Sequence, residues 1–252
     1  MPALEGRTAL VTGSSRGIGA SIAALFAQEG ASVVVHGRDA AAAERVRAAI
    51  VADGGTAIAL TADLTEPDQV EALRERAEAE LGPIDVLVAN AGGNPVRPAP
   101  IEEIDLNGWN ASIAVNLTAT FLTVRSILPG MKARGRGAIV TMSSAASRRP
   151  TEYSPAPYAA AKAGIEVLTR QLAQQAGPFG VRANCIAPET ILTDRNAQQI
   201  PADMQERMVA SHPVRRLGAP DDVAAAALYL ASDASAWVSG VVLDVAGGSV
   251  IA

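Results

Sequence analysis

The stretch Thr8-Ala9-Leu10-Val11-Thr12-Gly13-Ser14-Ser15-Arg16-Gly17-Ile18-Gly19 decides how the rest of the chain is read. A short apolar run ends at Gly13, and Ile18, Ile22, Leu25 and Phe26 then recur at helical spacing. The pattern predicts a strand, a tight turn and a helix closed by Gly30. Glycines in such a turn let the backbone bend sharply and approach a pyrophosphate, whose charge suits a helix N-terminus. The spacing is GxxxGxG, not the GxGxxG of many dinucleotide folds.

The same alternation continues outward. Strands are predicted at Val33–Val35, Thr56–Thr61, Ile84–Ala89, Ala138–Met142, Val181–Ile186 and Gly240–Val245. Between them lie helical patterns at Ala40–Ala52, Leu106–Met131, Tyr158–Ala176 and Pro220–Ala231. Asp39 reads as the N-cap of the Ala40 helix. A further helix starts at Thr65, with Asp68 three residues on and Pro67 between, and buries Val70, Leu73, Ala77 and Leu81. Strands alternating with helices mean βαβ units. The expectation is an α/β fold, a doubly wound parallel seven-stranded sheet with helices on both faces, in one domain over 1–252. Ligands in such sheets sit at the carboxyl ends of the strands.

Composition narrows the function. The chain has 252 residues, 49% hydrophobic, and a net charge of −5 with no basic block, which argues against a nucleic-acid partner. The longest unbroken apolar run, Val223–Ala231, is too short to cross a bilayer, so no membrane partner is expected. The first residues show no secretory pattern. The single Cys185 cannot form an intrachain disulfide, which fits a cytoplasmic location. His36 and His212 are isolated, and no metal-ligand cluster is evident.

Tyr158-Ala-Ala-Ala-Lys162 carries the chemistry. Tyr and Lys four apart lie on one helix face, about 6 Å apart along the axis. A free phenol has a pKa of about 10, and a fixed ammonium beside it favours the phenolate. The pair is therefore expected to make a Tyr able to exchange a proton near neutrality.

Thr12-Gly13-Ser-Ser-Arg-Gly17-Ile-Gly19, Asn90-Ala91-Gly92, Asn116, Ser144 and Tyr158-Ala-Ala-Ala-Lys162 stand in the order and spacing of the short-chain dehydrogenase/reductase family. The chain resembles its single-domain ketoreductases, including 3-oxoacyl-[acyl-carrier-protein] reductases. The resemblance implies a Rossmann fold and hydride transfer between a nicotinamide and a carbonyl or secondary alcohol. A 3-oxoacyl thioester is the leading substrate class, with a sugar, polyol or other secondary alcohol as the alternative; a non-catalytic cofactor sensor is a third reading. It implies Tyr158 as acid/base and Lys162 on the nicotinamide ribose. It also implies Ser144 on the substrate carbonyl, with Ser143 as rival, and Asn116 supporting a proton path. The Ser144–Tyr158 interval is about one residue longer than the family's. Family members are usually homotetramers, joined along the long helix and the last strand; Trp237 and Val250-Ile251-Ala252 are compatible with that.

Cofactor contacts are implied for Gly13, Ser15, Arg16, Gly17, Ile18 and Gly19, for Asn90, Ala91 and Gly92, and for Asp63 and Leu64 at the adenine. Asp63 has a turn role near Thr65 as its rival. NAD-preferring relatives carry an acid where this chain has Gly37; here Arg38 follows, with Arg16 facing the same pocket. Two cations suit a 2′-phosphate, so NADP(H) is expected, with NAD(H) as the alternative. Relatives read Pro-Gly where this chain reads Pro188-Glu189. That puts contacts from Pro188, Ile191 and Thr193 in question, and leaves Glu189 free to alter the loop, face the substrate or face solvent. A substrate-covering segment is implied near 189–213. Its Ile200, Met204 and Met208 stripe serves as a lid or as packing. Arg148 and Arg149 suit an anionic substrate or a solvated loop.

Overall fold

The structure is a computed structural model that describes residues 2–149 and 151–250. Seven strands form one sheet: β1 (Thr8–Val11), β2 (Ser32–Gly37), β3 (Thr56–Thr61), β4 (Val86–Ala89), β5 (Gly137–Met142), β6 (Val181–Pro188) and β7 (Val242–Val245). The order is β3-β2-β1-β4-β5-β6-β7 and the paired strands are parallel. The order reverses between β1 and β4, which opens a crevice at their carboxyl ends.

Period-two alternation assigns the strand residues to two cores. Ala9, Val11, Val33, Val35, Val86, Val88 and Val140 face one layer, built by α1 (Gly17–Gln28), α2 (Ala40–Ala52) and α9 (Pro220–Ala231). Leu10, Val34, Leu87, Ala89 and Ile139 face the other, built by α3 (Pro67–Leu81), α5 (Ala119–Arg134) and α6 (Ala156–Ala176). Both faces are covered, so the strands read as continuous apolar runs.

Several local expectations change. Asp39 does cap α2, its Oδ1 accepting from Ala42 N at 3.0 Å. Thr65 does not cap α3. Its N–H and hydroxyl both donate to Asp63 Oδ1, at 2.9 and 2.7 Å, and Glu66 takes the cap position ahead of Pro67. The long helix is three pieces: α4 (Leu106–Ile113), a π-turn at Ala114–Thr118, and α5. By length and hydropathy this run passes for a membrane span, a feature hidden from a search for unbroken apolar runs. Here its Leu122, Val124, Ile127 and Met131 are buried against the sheet. After β6 come α7 (Asp194–Gln199) and α8 (Ala202–Ser211), with Ile200, Met204 and Met208 half-buried. Pro150, Ile251 and Ala252 lie outside the described residues.

Candidate active site

The turn after β1 and the end of β4 are pressed together, and glycine makes that possible. Gly13 has φ +67°, and a Cβ there would lie 2.8 Å from Ala91 Cα. A Cβ on Gly19 would lie 2.4 Å from Gly13 O and 2.6 Å from Asn90 Nδ2. Asn90 Nδ2 donates to the carbonyls of Thr12 and Gly13, and Ala91 N donates to Thr12 Oγ1 at 3.0 Å. Arg16 precedes α1 in extended conformation, so the helix begins at Gly17 with its free N–H groups facing the crevice.

A groove of about 340 Å³ runs from this turn. Gly13, Ser15, Arg16, Arg38, Asp63, Leu64, Asn90, Ala91 and Gly92 line it together. Gly17, Gly19, Ile18, Pro188, Ile191 and Thr193 are not on its wall. Gly19 is buried in the turn, Ile18 packs on the core, and Ile191 is 3% exposed with its side chain in the core. Thr193 caps α7 and lies over Gly17, whose Cβ would sit 3.2 Å from Thr193 Cγ2. Asp63 holds both the turn and the groove: the Thr65 N–H and hydroxyl keep its carboxyl below the usual range, with Arg38 assisting. Gly37 is packed closely against the glycine turn. A Cβ there would lie 2.7 Å from Ser15 Oγ.

Asn116, Ser144, Tyr158 and Lys162 are not on the groove wall; Asn116 and Lys162 stand behind Gly92, which is. Asn116 is fully buried within the π-turn, not on a solvent-facing helix surface. Its Nδ2 donates to Gly93 O at 2.8 Å and Ser112 O at 2.9 Å, and its Oδ1 accepts from Gly93 N at 3.2 Å. The widened turn is thus stitched by a side-chain amide, a common use of π-bulges near sites. A Cβ on Gly92 would fall 2.7 Å from Asn116 Oδ1, so a side chain there would displace the Asn116 amide.

Lys162 is 4% exposed and donates to Met142 O at 2.7 Å. Burial lowers its pKa to about 8. Its Nζ sits 5.6 Å from the centre of the Tyr158 ring. Burial raises the Tyr158 phenol, and the nearby Ser144 hydroxyl only partly opposes it. This reverses the expected direction: the Lys162 ammonium is engaged by a carbonyl and does not point at the phenol oxygen. Between the two serines, the structure separates roles. Ser143 Oγ lies inward, 3.0 Å from Lys162 O and 2.9 Å from Glu166 Oε1 with one hydrogen shared between them, while Ser144 Oγ accepts from Ala146 N at 3.2 Å and lies near Tyr158.

Three features escaped the sequence. Glu166, one helical turn beyond Lys162, is 4% exposed and receives the Ser143 and Ser147 hydroxyls and the Arg148 guanidinium, the last at 3.3 Å. Arg148 also pairs with Asp244 on β7, and Arg149 donates to Ser249 O, so both arginines are engaged within the chain instead of awaiting an anion. Arg195 of α7 lines the same groove as Arg16 and Arg38. His36 joins the glycine turn to the end of β3: Nδ1 accepts from Gly13 N at 3.2 Å and Nε2 donates to Ala62 O at 3.2 Å. An i,i+4 spacing was the one available signal for Glu166; the others depend on contacts far apart in sequence.

The family model described as Enoyl-(Acyl carrier protein) reductase matches residues 13–249. The chain belongs to the short-chain dehydrogenase/reductase family. It is 42% identical over 242 residues to cis-4-hydroxycyclohexanecarboxylate dehydrogenase of Sinomonas cyclohexanicum, covering 96% of each chain. It is 38% identical to 7alpha-hydroxysteroid dehydrogenase of Escherichia coli K12, covering 98% of this chain and 95% of that one. The solved 3-oxoacyl-[acyl-carrier protein] reductase of Brucella melitensis with bound NAD superposes with a TM-score of 0.92 at 34% identity, over 100% of this chain and 94% of that one. The seven-stranded sheet is therefore the Rossmann-like fold of this family of oxidoreductases.

His36 makes the glycine turn acid-sensitive. Burial lowers its pKa from 6.5 to about 4, and it works as a neutral acceptor for Gly13 N. The unfolded chain binds this proton first, so stability is full above about pH 6.5 and falls as pH drops towards 4. The loss expected across that window is roughly 3 kcal/mol at about 1.4 kcal/mol per pKa unit. Denaturant melts from pH 7 to 4 measure it. His36→Gln is expected to flatten that part of the profile, and an unchanged slope would remove His36 as its source.

Proposed function

We propose that the protein transfers a hydride between NADP(H) and the carbonyl or carbinol carbon of a small substrate. The observation that carries this reading is buried Lys162 beside Tyr158, its Nζ 5.6 Å from the ring centre and next to Gly92, which lines the groove that starts in the glycine turn. The groove fits a dinucleotide: glycine backbone is bare where a side chain would collide, the N-terminus of α1 faces it, and two arginines flank it. Bound nicotinamide would supply or accept the hydride.

The chain's own groups do the rest. Ser144 holds the substrate oxygen, and Tyr158, kept neutral by burial, gives that oxygen its proton in the reductive direction. Lys162 supplies a fixed positive charge beside the phenolate left behind and a donor for the ribose. Asn116 braces Gly92-Gly93 next to Lys162. Arg16 and Arg38 line the groove and would hold a 2′-phosphate, while Gly37 offers no carboxylate for a free 2′-hydroxyl. Pro188, the Ile191 backbone and Thr193 border the nicotinamide end, and residues 189–213 cover the substrate.

The preferred substrate is a 3-oxoacyl thioester, in line with the resemblance to the 3-oxoacyl reductases. A cyclic secondary alcohol is the second reading, favoured by the higher identity to two ring-alcohol dehydrogenases. Tyr158→Phe is expected to lower turnover by about 10²–10⁴-fold, the usual scale of a lost general acid, while NADPH binding stays within about twofold. Initial rates with a short 3-oxoacyl thioester and with a cyclic ketone measure this and rank the two classes. Near-normal turnover in the variant would sink the assignment of Tyr158.

Arg38→Ala is expected to weaken NADPH about tenfold or more, the scale of a lost charge-assisted hydrogen bond, and NADH far less. Equal losses in titrations with the two cofactors would mean that Arg38 does not read the 2′-phosphate.

A homotetramer is part of this reading. Leu106, Trp109 and Phe121 on the α4–α5 run are 71%, 38% and 45% exposed, and Trp237 before β7 is fully exposed. Apolar side chains of this size in groups mark subunit contacts. Sedimentation equilibrium is expected to give the mass of four chains; a monomer at micromolar concentration would end that proposal.

A further inference from the structure

Glu189 follows Pro188 at the end of β6, and both oxygens of its carboxylate are engaged. One oxygen accepts from the Thr190 hydroxyl at 3.2 Å; the other accepts from Thr190 N at 2.5 Å and meets His212 Nε2 at 2.6 Å. His212 follows α8 and is 5% exposed. Its Nδ1 is 2.6 Å from Met208 O, in the last turn of α8. A carbonyl only accepts, so Nδ1 carries a hydrogen. A neutral imidazole then offers Glu189 a bare lone pair, and a carboxylate offers only lone pairs in return. Contact at 2.6 Å needs one more proton between Nε2 and Oε2.

We propose that Glu189 and His212 are positioning residues: a proton-dependent clasp that pins the α7–α8 segment to the end of β6. The clasp joins the two ends of the stretch 190–211, so the stretch is a closed loop whose helices are held at a common stem. The imidazolium also completes the carbonyl end of α8, where a cation is favoured. Gly247 backs the ring, with its Cβ position 3.4 Å from His212 Cδ2, and Val214 N donates to Gly247 O at 3.0 Å, which ties the segment to the loop after β7. The other charged groups around the clasp are already paired. Arg216 pairs with Asp222 of α9, Asp244 of β7 pairs with Arg148, and Arg215 donates to Ala210 O. None of them supplies the missing proton.

The consequence reaches the groove. Thr193 and Arg195 lie on the clasped loop, one over Gly17 and one on the groove wall. Loss of the proton frees the stem, and with it the side chains that α7 presents to the groove. The role of this segment as a substrate cover rests on the reductase reading; the clasp itself does not.

The test is hydrogen exchange of the α8 amides in the full chain, corrected for intrinsic rates, in wild type, Glu189→Gln and His212→Leu. No substrate is needed, so a wrong substrate class leaves the result intact. In wild type, protection is expected to fall about tenfold or more between about pH 6 and about pH 9, on the scale of one lost charge-assisted hydrogen bond. In Glu189→Gln the amide N–H donates to unprotonated Nε2, so protection is expected to be the same at both pH values. In His212→Leu it is expected to be low at both. Wild-type protection that ignores pH, or a Glu189→Gln variant that loosens in parallel with wild type, overturns the clasp. If His212→Leu does not fold, the wild-type and Glu189→Gln pair decides alone.

Discussion

The site depends on keeping one ammonium group almost without water. Lys162 is 4% exposed, and its Nζ has a single hydrogen-bond partner among the described residues, the Met142 carbonyl. Burying a charge costs several kcal/mol unless neighbours offset it. Here the offset is incomplete, and the pKa falls to about 8. The elements around Lys162 are arranged to hold this group in place. The end of β5 supplies the carbonyl, α6 supplies the lysine, and the turn after β4 supplies Gly92, whose Cβ position is 3.5 Å from Nζ. A side chain at Gly92 would displace the Asn116 amide. The glycine at that strand end is therefore required by the amide behind it as much as by a ligand in front.

A ring of contacts behind the site keeps the two hydroxyls in register. Glu166 is buried one turn below Lys162 and gathers the loop after β5 from beneath. Ser143 and Ser147 donate to it, and Ser147 also reaches Ser144 O at 2.6 Å, so the backbone that carries the Ser144 hydroxyl is fixed on both sides. Arg148 keeps the Glu166 charge compensated and extends the tie to Asp244 on β7. Removing one partner from such a network leaves a buried charge unpaired, which is why the network acts as a unit.

Much of this was legible from the chain. The strand and helix periods pointed to the sheet, because both faces are covered and the strands carry Val, Ile, Leu and Ala almost without interruption. The glycine turn and the Tyr158–Lys162 pair stood out by residue type and local spacing, whereas Asn116 and Ser144 were singled out only by the resemblance to the family. The direction of the Tyr158 shift was not legible. It depends on where the Lys162 ammonium points and on burial of the phenol, and spacing specifies neither. His36 was passed over for the same reason: its partners, Gly13 and Ala62, are 23 and 26 residues away. The Thr65 cap failed because Asp63, two residues before it, competes for the same hydroxyl and wins with two hydrogen bonds.

The departures from pattern are coupled to one another. Gly37 and Ser15 are packed so closely that a Cβ on Gly37 would require Ser15 to shift. Glu189, after β6, finds its partner in His212, 23 residues on. A carboxylate introduced at that position alone would stiffen the turn without fixing the helices beyond it. With the histidine, and with the two donors of Thr190, it ties the end of β6 to the end of α8. The stem of the segment is thereby set by hydrogen bonds at both of its ends.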